Sequence, residues 1–133
     1  MLVHIALKET EDGERNVLGA FTEKEEALLR LGEYAAEHPD EKCFLEVTDT
    51  EKWLHEADEY KVVHRTRVSK TTNVNTHVIY FAKEDLPLIE EGQGWYIIQQ
   101  ENKSFDREEG LEKNLRLLQA YLLGKEKGHE ERL

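Results

Sequence analysis

The sequence predicts an α+β fold, a mainly antiparallel sheet of about five or six short strands, with a ββα start, a long central hairpin and a C-terminal amphipathic helix. Three observations predict it. Short apolar runs alternate with turn residues, two stretches change to helical spacing, and 133 residues suit one core, since domains commonly run about 100–150 residues. Residues 1–124 are therefore expected to form a single α+β domain, with 125–133 a charged, frayed tail.

Taken in order, residues 2–7 and 16–21 are apolar runs around Glu9–Glu14. Asp12-Gly13 supplies the pair that accepts a tight turn's positive φ, so the two runs form a β-hairpin. Thr22 and Glu25 have the spacing of a capping box, each side chain serving the other's amide. A helix over 23–37 follows, its stripe Ala27, Leu28, Leu31, Tyr34 and Ala35, stopped by Pro39. Cys43–Val47 reads as a third strand, and Thr48–Asp58, with Trp53, Leu54 and Ala57, as a short helical turn. Tyr60–Ala82 favours extended structure on both sides of a polar middle, Ser69–Asn75, and reads as the long hairpin. Glu84–Glu91 is a connection interrupted by Pro87, and Trp95–Ile98 is another strand. Asp106, with Glu109 three residues on, caps a last helix on which Leu111, Leu115, Leu118 and Leu122 recur, with Gly124 to end it. Leu117 and Tyr121 widen that stripe, so the helix is expected to cover the sheet on one side and offer a second face to another subunit.

The formal charge is -11, which disfavours a generic coat for nucleic acid. One cysteine, Cys43, excludes an intrachain disulfide and an all-cysteine metal cage and fits a reducing cytoplasm. The opening apolar run meets Lys8-Glu9 too early for a signal peptide, and no stretch approaches the roughly 18 apolar residues of a membrane span.

The charge is unevenly placed. Residues 1–60 carry -11, residues 61–83 carry +5 without one carboxylate, and residues 84–133 carry -5. If the central hairpin turns at Lys70-Thr71, His64 faces His77 on one side while Arg65 and Arg67 project together from the other. Edge-strand protection explains the arginines plainly. The sharper expectation is an anion or partner site built from His64, Arg65, Arg67, Lys70 and His77, because a guanidinium fork matches carboxylate or phosphate.

No residue pattern specifies a reaction. His64 and His77 lack the third ligand a metal needs. His4 is a core histidine, His38 a helix-end residue, and His55 and His129 are solvated. Cys43 has no local nucleophile signature, and Ser69 and Ser104 lack a nucleophile elbow. Gly92-Gln93-Gly94 precedes a strand where a phosphate loop requires a helix, so it is a turn. Trp53, Trp95 and Tyr96 belong to the core or anchor an interface. A hairpin leading into a helix begun by Thr-Glu-Lys-Glu resembles the opening of small bacterial and prophage proteins, over roughly the first 35 residues and without a functional motif.

The chain is thus expected to be a small non-enzymatic cytoplasmic binding or regulatory protein, without metal or cofactor, acting through a protein partner or self-association as a homodimer. Membrane and nucleic acid are not expected partners. Two alternatives stand beside it. One is an acidic inhibitor of a nucleic-acid enzyme, with the carboxylates of residues 1–60 imitating phosphates. The other is a small-anion-binding domain using the 61–83 hairpin.

Overall fold

The structure, a computed structural model, describes residues 2–49 and 60–131, with side chains as far as residue 125. Its elements are β1 (Leu2–Glu9), β2 (Arg15–Phe21), α1 (Lys24–Glu37), β3 (Lys42–Asp49), β4 (Lys61–Ser69), β5 (Asn75–Ala82), β6 (Leu88–Glu91), β7 (Trp95–Glu101) and α2 (Arg107–Glu131). The α+β class is as the sequence predicts. The strands form a seven-stranded sheet in the order β3-β1-β2-β5-β4-β7-β6, with antiparallel pairing. The additional strand is β6, expected to be a connection. Pro87 stands just ahead of it, where its missing N–H costs no ladder bond, and Leu88–Glu91 pair with Gln99–Tyr96. Trp53, Leu54, Ala57 and His55 lie outside the described residues, as does the side chain of His129. Among the described residues, no helix is long and apolar enough to cross a membrane.

The chain divides into two compact units, Met1–Val62 with Ile79–Glu84, and Val63–Val78 with Asp85–Leu133.

In the first unit, Gly13 takes φ 83° in the β1–β2 turn and donates its N–H to the Thr10 carbonyl at 2.9 Å. Val3, Ile5 and Leu7 alternate onto one face of β1 and pack with Ala20, Phe44, Tyr60 and Phe81. Burial of each such aliphatic side chain contributes about 1.5–3 kcal/mol. Helix α1 packs on β1, β2 and β3. It starts differently from expectation, because its N-cap is Glu23, with no side-chain cap bond. Glu25 and Glu26 in the first turn meet the positive end of the helix dipole instead. Its buried residues are Ala27, Arg30 and Tyr34, while Leu28 is 49% exposed. The packed face follows Tyr34, whose hydroxyl donates to the Glu41 carboxylate, and this turns the expected stripe by one residue.

In the second unit, β7 lies between β4 and β6, and its register with β4 runs from Val63↔Glu101 to Ser69↔Trp95. Val63, Val78, Ile97, Ile98 and Leu118 are buried there. Asp106 does cap α2, its Oδ1 accepting the Glu108 and Glu109 amides at 3.0 and 3.3 Å. The helix runs through Gly124 to Glu131 rather than stopping. Gly124 does not adopt the positive φ of a helix stop, and the next residue, Lys125, is tied to Glu91.

Candidate functional site

The central hairpin turns later than expected. Ser69 donates its N–H to the Val74 carbonyl at 3.1 Å, so the loop is 70–73 rather than a turn at Lys70-Thr71. The histidines meet nonetheless, with His64 Nδ1 3.0 Å from His77 Nε2. Side chains two apart share a strand face, and Thr66 Oγ1 reaches Nδ1 of the same His77 at 2.7 Å. His64 is fully buried, and Gly110 of α2 lies against its ring. Burial first, and the neighbouring His64 second, lower the pKa of His77 to about 4.

The arginines occupy the alternate positions of β4, away from α2. This strand is internal to the sheet, so edge protection does not explain them. Arg65 is 4% exposed, and Arg67 lies over the Trp95 ring with Cζ 4.9 Å from its centroid. The five expected residues therefore do not form one site. The histidines belong to the α2 side, Arg67 to the other, and Lys70 is committed to Glu91 at 3.0 Å. Lys125 shares that carboxylate, and with Lys70 it holds the Glu91 pKa at about 2. Lys61 donates to the Glu84 carbonyl at 3.0 Å, and Lys83 lies over the Tyr60 ring. The segment that lacks acids in sequence meets them, and aromatic rings, in space.

A cleft of about 210 Å³ lies beside the hairpin tip, lined by Arg67, Val74, Asn75, Thr76 and Trp95 together with Ser69 and Gly94. Register explains its walls. Ser69 pairs with Trp95 and Arg67 with Ile97, which sets the indole diagonally beside the guanidinium on one face. Gly94 contributes no side chain and leaves the mouth open, while Gly92 closes the expected turn by donating its N–H to the Trp95 carbonyl at 2.9 Å. Any side chain at Gly92 would strike the indole, at 2.3 Å from Cε2. Ser69 Oγ is spent on the Thr71 and Thr72 amides. The lining thus contains one guanidinium, one carboxamide, one threonine hydroxyl and an aromatic wall, with no carboxylate among its residues.

A second polar cluster lies in the first unit. Lys8 is 3.9 Å from Glu41 and below the Tyr34 ring, and His38 Nδ1 is 3.7 Å from Glu41. Every resolved shift there opposes reactivity. Burial and the Glu41 bond raise Tyr34, burial raises Cys43, and the Tyr34 bond raises Lys8, so phenol, thiol and ammonium all keep their protons. Glu9 faces Arg15 as Glu41 faces Lys8, which removes both from any row of bare carboxylates.

Sequence reasoning gave Trp95 as core or interface anchor without placing it beside Arg67, and missed Asn75 and Thr76 in the cleft and Thr66, Gly110 and Asn114 around the histidines. One signal was readable: Gly110, Asn114 and Leu118 recur every fourth residue, which places a carboxamide and a glycine on the buried face of a helix. No protein-family model, no curated protein and no solved structure matches this chain.

Proposed function

We propose that this is a small non-enzymatic binding protein of the cytoplasm that recognises a carboxylate presented by a protein partner, and that the Arg67 cleft is where it does so. The observation that carries the reading is Arg67 lying over Trp95 in a concave site whose other polar groups, Asn75 and Thr76, are neutral. A planar guanidinium held against a ring is already ordered, and its in-plane N–H edge matches the two oxygens of a carboxylate. One cation with neutral donors suits a single negative charge better than a phosphate dianion. Val74, 66% exposed at the rim, adds an apolar contact of the kind a protein surface supplies. The single cysteine, a half-buried thiol, supports the cytoplasmic assignment.

The test is a titration of ¹⁵N-labelled protein with an acidic peptide, with acetate, and with inorganic phosphate, following the Trp95 indole and Arg67 side-chain signals. Both signals should shift with peptide and acetate and less with phosphate, and Arg67→Ala should weaken peptide binding roughly 10- to 100-fold, the worth of one charge-assisted bond. Peptide binding well above acetate identifies a protein-borne carboxylate, and equal affinities identify a free small acid. Signals that move on concentrating the protein alone identify a carboxylate of a second copy. Trp95 and Arg67 signals unmoved by every carboxylate would end the reading.

A further inference from the structure

With both rings neutral, the polar contacts beneath α2 admit one arrangement of protons. His64 Nε2 lies 2.6 Å from the Ser104 carbonyl, so that nitrogen carries a hydrogen and donates it. In the neutral ring Nδ1 is then bare, and at 3.0 Å it accepts from His77 Nε2–H. His77 Nδ1 is bare in turn and accepts the Thr66 hydroxyl at 2.7 Å. Thr66 Oγ1 accepts from Asn114 Nδ2 at 2.9 Å, and Asn114 also donates to the His64 carbonyl at 2.9 Å. Each step fixes the next when both imidazoles are neutral.

We propose that the His64–His77 pair is an acid-released latch, holding α2 and the 102–106 loop on β4 and β7 at neutral pH and letting go of them in mild acid. A proton added to His64 Nδ1 forces His77 to move its own proton from Nε2 to Nδ1 and so to reverse the Thr66 bond. A proton added to His77 Nδ1 makes the Thr66 hydroxyl turn away. Either places a cation where His64 is fully buried. The charges facing the pair do not favour that cation. Arg107 of α2 donates to the His77 carbonyl at 3.2 Å, and Glu109 of α2 is engaged by Lys113 at 2.9 Å. The β7 residue opposite His64 is the neutral Gln100, which donates to Asn114 Oδ1 at 3.1 Å. Arg65 lies on the other face of β4. The His77 pKa, lowered to about 4 from 6.5, gives the sign. The released histidine binds a proton that the latched one refuses, so the latch is at full strength above pH 6.5, weakens below it, and is lost through pH 4.

Amide exchange on the full chain between pH 7.5 and 4.5, corrected for intrinsic rates, tests this. In α2 the opening equilibrium should rise up to about tenfold per pH unit for each imidazole that takes up a proton, while β1–β3 amides hold. His77→Gln keeps an N–H donor toward His64 but removes a titrating ring, and should flatten that slope. Ring ¹⁵N spectra of the wild-type protein supply an independent readout, with both histidines in the Nε2–H form at pH 7.5 and His77 still neutral at pH 6. Loss of protection in α2 and β1 together, an unchanged slope in His77→Gln, or a ring that protonates near 6.5 while α2 stays protected would each overturn the latch. If His77→Gln does not fold, the ring spectra and wild-type exchange decide alone.

Discussion

Gly110 stands so close to His64 that a Cβ built on it would lie 1.8 Å from Nδ1. Helix propensity alone favours alanine over glycine by about 1 kcal/mol in a helix interior. Contact with a fully buried ring reverses the sign, because the neighbour is held by bonds at both nitrogens and has nowhere to go. Gly110→Ala should therefore destabilise the protein by about 1–3 kcal/mol, as overpacking does, in a denaturant titration. A stabilised variant would show that α2 does not rest on His64.

Asn114 occupies a position that the stripe of Leu111 and Leu118 would give to leucine. Its carboxamide donates to the His64 carbonyl and Thr66 Oγ1 and accepts from Gln100. Asn114→Leu improves the helix's apolar pattern yet leaves Thr66 without that donor, at about 1–3 kcal/mol for a buried polar group without a partner. Equilibrium unfolding should show a loss of that order rather than a gain.

Thr22 gives the opposite expectation. A capping threonine lost to alanine typically costs about 1 kcal/mol, but α1 has Glu23 at its N-cap and no side-chain cap bond. Thr22→Ala should change stability by less than about 0.5 kcal/mol, as ordinary surface substitutions do. A loss near the full capping value would mean that the hydroxyl serves the helix after all.

Glu91 receives Lys125 and Lys70 together, and its carboxyl should titrate at about 2 instead of 4.5, read from its side-chain ¹³C signal. The depressed value means that its contribution is present above pH 4.5 and lost as pH falls toward 2. Lys125→Ala removes the larger of the two influences and should move the titration up toward the ordinary range. Added salt should do the same, since the pair is exposed to solvent.

The fold class was legible because turn residues and helical spacing are local signals. Asp12-Gly13, the Asp106 cap and the apolar runs of β1 and β7 each act over a few residues. Strand β6 was not legible, since four residues behind a proline carry no pattern until β7 lies beside them. The approach of His64 to His77 followed from alternation along the hairpin and survived a misplaced loop, as a register shift by two residues preserves the face. The separation of Arg67 from the histidines followed from the same alternation. What sequence could not give was occupancy. Lys70 reads as an available cation until Glu91, 21 residues away, is brought to it, and Trp95 reads as core until its diagonal neighbour is known to be Arg67.

The carboxylate that ties down Lys70 and Lys125 belongs to the outermost strand on its side of the sheet. A strand that ends a sheet is a template on which another chain can grow. Here the template is four residues long, follows directly on a proline, and carries an acid clasped by two ammonium groups. An incoming strand would have to displace that clasp for very few backbone bonds, so polymerisation through this border is disfavoured and the protein is protected there from fibrillar growth.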